Sequence, residues 1–97
     1  MTRSTERAET DVRERAITGL ELLVTDIACS LVGDSTPRVT THRAGDLVEY
    51  VIDASPAGRI IGKQGRTIQS IRNIARAVGA RDGIQVNVRT LDDRAAE

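Results

Sequence analysis

The hydrophobic pattern of this 97-residue chain predicts an α+β fold in the order helix, strand, strand, short helix, helix, strand. Three observations carry that reading. Apolar residues recur every three or four positions over 11–32, as on one face of a helix. Two runs rich in Val, Thr, Tyr and Ile are separated by Gly45-Asp46, a hairpin signal. A third alternating run, Ile84 to Arg89, returns only after two helical segments, so it must lie parallel to a strand already in the sheet. The result is a three-stranded mixed sheet with helices packed on one face.

The elements follow in order. Val12, Ala16, Leu20, Leu23, Ile27 and Leu31 mark the first helix, with Ile17, Val24 and Ala28 widening the stripe. Asp11 followed by Glu14 resembles a capping box, and Gly33 stands at the C-terminal cap position. Gly19 lies within the helix and weakens it by about 1 kcal/mol relative to Ala. The strands are read as Arg38 to Ala44 and Asp46 to Ala54. In the second, Val48, Tyr50, Ile52 and Ala54 share the core face, while Glu49 and Asp53 point away. Pro56 opens a short helix from Ala57 to Ile61 that Gly62 stops. The next helix runs from Arg66 to Val78, with Ile68, Ile71, Ala75 and Val78 inward and Arg66, Gln69, Arg72, Asn73 and Arg76 toward the other side. Gly79 is its expected end. Residues 1–10 are expected to be a flexible N-terminal extension, 11–91 the folded domain and 92–97 a polar tail.

Composition excludes several functions. Fourteen basic and 14 acidic residues give no net charge, which rules out a uniformly basic coat protein. The 39% hydrophobic content suffices for a core and exceeds that of a disordered chain. No apolar run approaches the roughly 18 residues of a membrane span, and Met1 to Glu6 lacks the apolar stretch of a signal peptide, so a reduced, cytoplasmic setting without membrane insertion is expected. Tyr50 is the sole aromatic, which disfavours platforms that stack bases on aromatic rings. Neutrality conceals an asymmetry, however. Between Ala54 and Arg81 stand Arg59, Lys63, Arg66, Arg72, Arg76 and Arg81 without one Asp or Glu. A basic block in an otherwise acidic small domain suggests a local anion site.

That block contains Gly62-Lys63-Gln64-Gly65 between its two helices. Glycines allow a tight turn and let a ligand approach the backbone. The helix starting at Arg66 presents unpaired N–H groups and the positive end of its dipole, a setting that favours phosphate. Ile60 and Ile61 supply an apolar wall against which a base could lie. A Walker loop is excluded, because Gln64 follows Lys63 where Ser or Thr is required. The dinucleotide fingerprint is also absent.

The string Ile60-Ile61-Gly62-Lys63-Gln64-Gly65-Arg66, with Ile68, resembles a KH domain, whose Gly-x-x-Gly loop clamps a short single-stranded RNA backbone. The flanking elements resemble the type II KH topology, and the single-domain length is similar to the small bacterial KhpA group. The resemblance covers roughly residues 17–91. It implies that Gly62 and Gly65 shape the loop, that Lys63 and Gln64 present donors to phosphates, and that Arg59, Ile60 and Ile61 form one wall of a groove. It further implies that Arg66 and Thr67 stand at the second helix's start, and that Val51, Ile52 and the 79–83 connection lie near the opposite wall. The implied function is non-enzymatic RNA binding, as an RNA chaperone or post-transcriptional regulator, with no cofactor and no metal. The implied partners are single-stranded RNA, a KhpB-type KH protein and a second copy in a homodimer; a link to cell-envelope growth and division is implied too.

Other residues invite no chemistry. His42 is the single histidine, in a Thr-rich strand, and a metal site needs several ligands. Cys29 reads as a packed small hydrophobe. Tyr50 is expected to bury its ring and send its hydroxyl to the rim. Asp92 and Asp93 stand in the polar tail with no groove over them. The rival reading is a protein-interaction or dimerisation module with little or no RNA binding, using the first helix and the exposed sheet edge.

Overall fold

The computed structural model describes residues 2–32, 37–54 and 58–91. Its elements are α1 (Thr2–Val32), β1 (Arg38–Ala44), β2 (Leu47–Asp53), α2 (Gly58–Ile61), a 3₁₀ turn (Lys63–Gly65), α3 (Arg66–Arg81) and β3 (Gln85–Thr90). The expected order is therefore present. The sheet order is β1-β2-β3, with β1 and β2 antiparallel and β2 and β3 parallel. The sequence readings at Gly33, Pro56 and 92–97 lie outside the described residues.

The helix α1 begins at Thr2 rather than Asp11. Asp11 and Glu14 are interior to it, so the expected capping box is not used. Glu6, Arg7, Ala8 and Glu9 are strong helix formers, and no Gly or Pro precedes Gly19 to stop the helix. The buried stripe is Ile17, Leu20, Val24, Ala28 and Val32, with Leu23, Ile27 and Leu31 at its margin. Val12, expected on the stripe, is 62% exposed. Cys29 is exposed and not packed, because Ala28 occupies the inward position beside it.

Core residues from α1 meet Val48, Tyr50 and Ile52 of β2, Val86 and Val88 of β3, and Ile68, Ile71 and Ala75 of α3. The Tyr50 hydroxyl does not reach the rim. It donates to the Ile17 carbonyl at 2.7 Å, deep in the core, and so ties β2 to α1. Desolvation, followed by the nearby Glu21 charge, pushes its pKa up to about 12. Two further ties hold α1 to β1: Thr41 donates to Glu21 at 2.5 Å, and Arg43 forms a bidentate pair with Glu14 at 2.6 and 2.7 Å. The Arg43 hydrogen bond holds the Glu14 carboxyl below its usual range.

Gly79 is inside α3, not at its end. A Cβ there would stand 2.9 Å from the Ile84 carbonyl oxygen and 2.5 Å from Val86 Cγ2. The Ile84 N–H donates to the Gly79 carbonyl at 2.7 Å. This close approach, and not helix termination, explains the glycine, and it draws β3 against α3. On the far face of the sheet Val51 is also buried, at 4% exposure, so that face is not uniformly solvated.

Candidate nucleic-acid interface

The loop between α2 and α3 is shaped by its backbone. Gly62 adopts φ 76°, ψ 175°. A Cβ on it would lie 2.6 Å from Thr67 Cβ and 3.0 Å from Thr67 N, so only glycine fits. Gln64 (φ 59°, ψ 25°) and Gly65 (φ 72°, ψ 14°) are consecutive left-handed residues. For a non-glycine such as Gln64 this conformation costs about 1 kcal/mol. Gly65 N–H donates to the Gly62 carbonyl at 3.2 Å, and the Arg66 N–H to that of Lys63. The chain thus reverses abruptly into α3.

This turn sets the surface. Lys63, Gln64 and Arg66 are exposed, Thr67 is half-buried beneath Gly62, and Ile61 is half-buried. The start of α3 has no side-chain cap and no acidic residue in its first turn. Its positive end therefore stays unneutralised beside Lys63 and Arg66. Ile60 is a correction. It is 0% exposed and belongs to the core, so it braces the wall from behind and offers no surface to a base. Ile52, also 0% exposed, is likewise core, and Val51 lies on the far face of the sheet. Neither offers surface to a ligand, whatever lies near it. Arg59 falls within α2, and its side chain lies outside what is described.

The structure adds residues that the sequence reading left out of the loop site, although Arg72 and Arg76 stood in its basic block. Gln69, Arg72, Asn73 and Arg76 continue from Arg66 along one side of α3, and Arg72 and Arg76 reach β3. Arg72 Nε donates to the Val88 carbonyl at 2.7 Å, and Arg76 Nη2 donates to Asn87 Oδ1 at 3.3 Å. Gln69 Nε2 donates to Asn73 Oδ1 at 3.1 Å. The result is a polar, cationic rail from the loop along the seam of α3 and β3. Spacing of three and four within the acid-free block was the available signal; that β3 lies alongside was not.

Behind the rail, Glu49 of β2 accepts from Asn87 Nδ2 and Arg89 Nε, each at 3.0 Å. Burial pushes the Glu49 carboxyl up, but these two hydrogen bonds and the charges of Arg89 and His42 outweigh it and hold it below its usual range. Among the described residues there is no cluster of three or more His, Cys, Asp or Glu able to hold a metal. No described helix is long and apolar enough to cross a membrane.

Comparison with known proteins bears on the family of the chain. The RNA-binding protein KhpA of Chlamydia trachomatis is 35% identical over 48 residues, covering 50% of this chain and 62% of that protein. That of Chlamydia muridarum matches to the same extent. The RNA-binding protein KhpA of Leifsonia xyli subsp. xyli is 33% identical over 63 residues, covering 65% of this chain and 72% of the relative. The matched region thus spans under two thirds of the chlamydial proteins. The profile of the KhpA/KhpB KH domain matches residues 21–90, which include the hairpin, the glycine loop, α3 and β3. With the α-β-β-α-α-β order, the mixed sheet and the loop placed between two helices, the chain belongs to the KhpA/KhpB KH-domain family.

Proposed function

We propose that this chain binds single-stranded RNA by clamping its sugar-phosphate backbone on Gly62-Lys63-Gln64-Gly65, and that it is not an enzyme. The observation that carries the reading is the pair of left-handed residues, Gln64 and Gly65, that turns an acid-free loop onto the uncapped start of α3. Phosphate is the ligand such a start favours. Lys63, Gln64 and Arg66 supply exposed donors, Thr67 stands at the helix start, and Ile61 supplies the apolar contact. Gly62 and Gly65 hold the shape. Arg59 is assigned to the same wall on the family resemblance alone. The relatives' name, RNA-binding protein, supports the choice of nucleic acid over a small anion.

In this reading the chain works in the cytoplasm as an RNA chaperone or post-transcriptional regulator. A single module of this kind binds weakly, and pairing with a KhpB-type protein or a second copy raises avidity. The test is fluorescence anisotropy with short single-stranded RNAs at two salt concentrations. The natural protein is compared with Lys63→Asp, Gln64→Asp, after circular dichroism shows both folded. If three or four phosphates are held, log affinity falls against log salt with a slope of about −2 to −3. Equal binding by both proteins removes the loop from the site. Absence of binding by the natural protein favours the interaction-module reading, for which exposed Val12 and Leu22 on α1 are the first residues to vary.

A further inference from the structure

We propose that the Arg76 guanidinium is a second phosphate contact, held in place by Glu49 acting through Asn87; this rests on the RNA-binding reading above. Asn87 bridges the two. Its amide nitrogen donates to Glu49 Oε2 at 3.0 Å, and its amide oxygen accepts from Arg76 Nη2 at 3.3 Å. The amide therefore has one productive orientation, since turning it over would set donor against donor at Arg76. Glu49 is itself fixed, because Oε1 accepts from Arg89 Nε at 3.0 Å. Arg89 Nη1 is buried and has no hydrogen-bond partner among the described residues, so the Glu49 pair is the contact that holds this guanidinium there.

The arrangement orders a cation without cancelling it. Arg89 matches the Glu49 charge, and no acid stands between Ala54 and Arg81. Arg76 is exposed and keeps further N–H donors beyond the one on Asn87. A free surface arginine loses much side-chain entropy on gripping a phosphate; one already tethered loses less. Arg76 lies ten residues beyond Arg66 on the same helix, about 15 Å at 1.5 Å per residue. It would therefore meet a different phosphate from those at the loop, farther along the strand that follows the α3–β3 seam. Arg76 is the binding residue, and Glu49 and Asn87 are positioning residues.

The experiment measures affinity for fluorescein-labelled oligouridylates of about four and about ten nucleotides, within the range of small single-strand sites. Arg76→Ala should weaken the longer RNA about fivefold, the worth of one screened charge contact, and make its salt slope shallower by about 0.7. The shorter RNA should bind unchanged. Glu49→Gln is the sharper arm. It removes a negative charge, so simple electrostatics predicts tighter binding. The relay predicts weaker binding of the longer RNA, because the new amide can turn Asn87 over and set its N–H against Arg76. Adding Glu49→Gln to Arg76→Ala should then cause no further loss. Asn87→Ala, which leaves the Glu49–Arg89 pair intact, should reproduce the loss and serves if Glu49→Gln does not fold. Equal or tighter binding by Glu49→Gln and Asn87→Ala overturns the positioning role. Unchanged binding and slope in Arg76→Ala overturns the second contact while the loop clamp stands. If the natural protein binds neither RNA, the functional reading fails and this inference with it.

Discussion

The two sides of the molecule use charge differently. Where α1 crosses β1, ionic and polar groups are matched within the chain: Arg43 grips Glu14 with two hydrogen bonds, and Thr41 donates to Glu21. Around the α2–α3 loop, Lys63 and Arg66 are exposed in a stretch that contains no acid at all. The same contrast holds for glycine. Gly62 is forced by a positive φ and by Thr67, whereas a Cβ on Gly19 would meet nothing within 4 Å among the described residues. One side uses its charges for internal cohesion; the other leaves Lys63 and Arg66 exposed.

Gly62→Ala tests the contrast most severely. The added methyl must displace Thr67 and sit at φ 76°, so a stability loss of about 2–3 kcal/mol is expected in urea unfolding. RNA binding should be lost with it. A loss near zero would show that the loop geometry is adaptable and not built in.

Tyr50→Phe probes the cohesive side. Losing the hydroxyl bond to Ile17 should cost about 1 kcal/mol in the same assay, with RNA affinity unchanged. The alkaline limb carries a second signature. Burial raises the folded-state pKa to about 12 from an ordinary 10.0, so the folded chain keeps a proton that the unfolded chain releases. Its contribution is intact below pH 10 and fades as pH climbs toward 12. That part of the alkaline loss should vanish in Tyr50→Phe, seen as a flatter melting-temperature profile over this window.

Gly19→Ala should stabilise the protein by about 0.5–1 kcal/mol, since the position is helical, exposed and open. A loss instead would mean that another chain approaches α1 there. Arg43→Ala should have the smallest effect, because both partners of the Glu14 pair are substantially exposed and screened by water and salt. A larger loss, measured by thermal melts at low and high salt, would make the α1–β1 tie a principal support of the fold.

Much of the fold was legible because its signals are local. The Val48-Tyr50-Ile52 alternation, the Gly45-Asp46 turn and the two segments around Gly62-Lys63-Gln64-Gly65 stand where the pattern put them. The errors arose where distance along the chain mattered. Gly79 looked like a helix stop because its partners, Ile84 and Val86, are supplied by the folded strand. Ile60 looked like a groove wall because two adjacent isoleucines carry no mark of which one faces in. Cys29 looked packed because the helical stripe is wide enough to include or omit a neighbour of Ala28.

The sequence by itself determined the element order, the parallel return of β3, the acid-free block and the glycine loop. Periodicity, turn chemistry and charge content are properties of neighbouring residues. The tertiary structure alone decided that Tyr50 reaches the Ile17 carbonyl, and that Arg72 and Arg76 lie along the β3 edge. It alone also joined Glu49 to Asn87 and Arg89, some forty residues away. Such pairings depend on strand register and on how deeply a helix settles on the sheet, and both follow from the packing of the whole core.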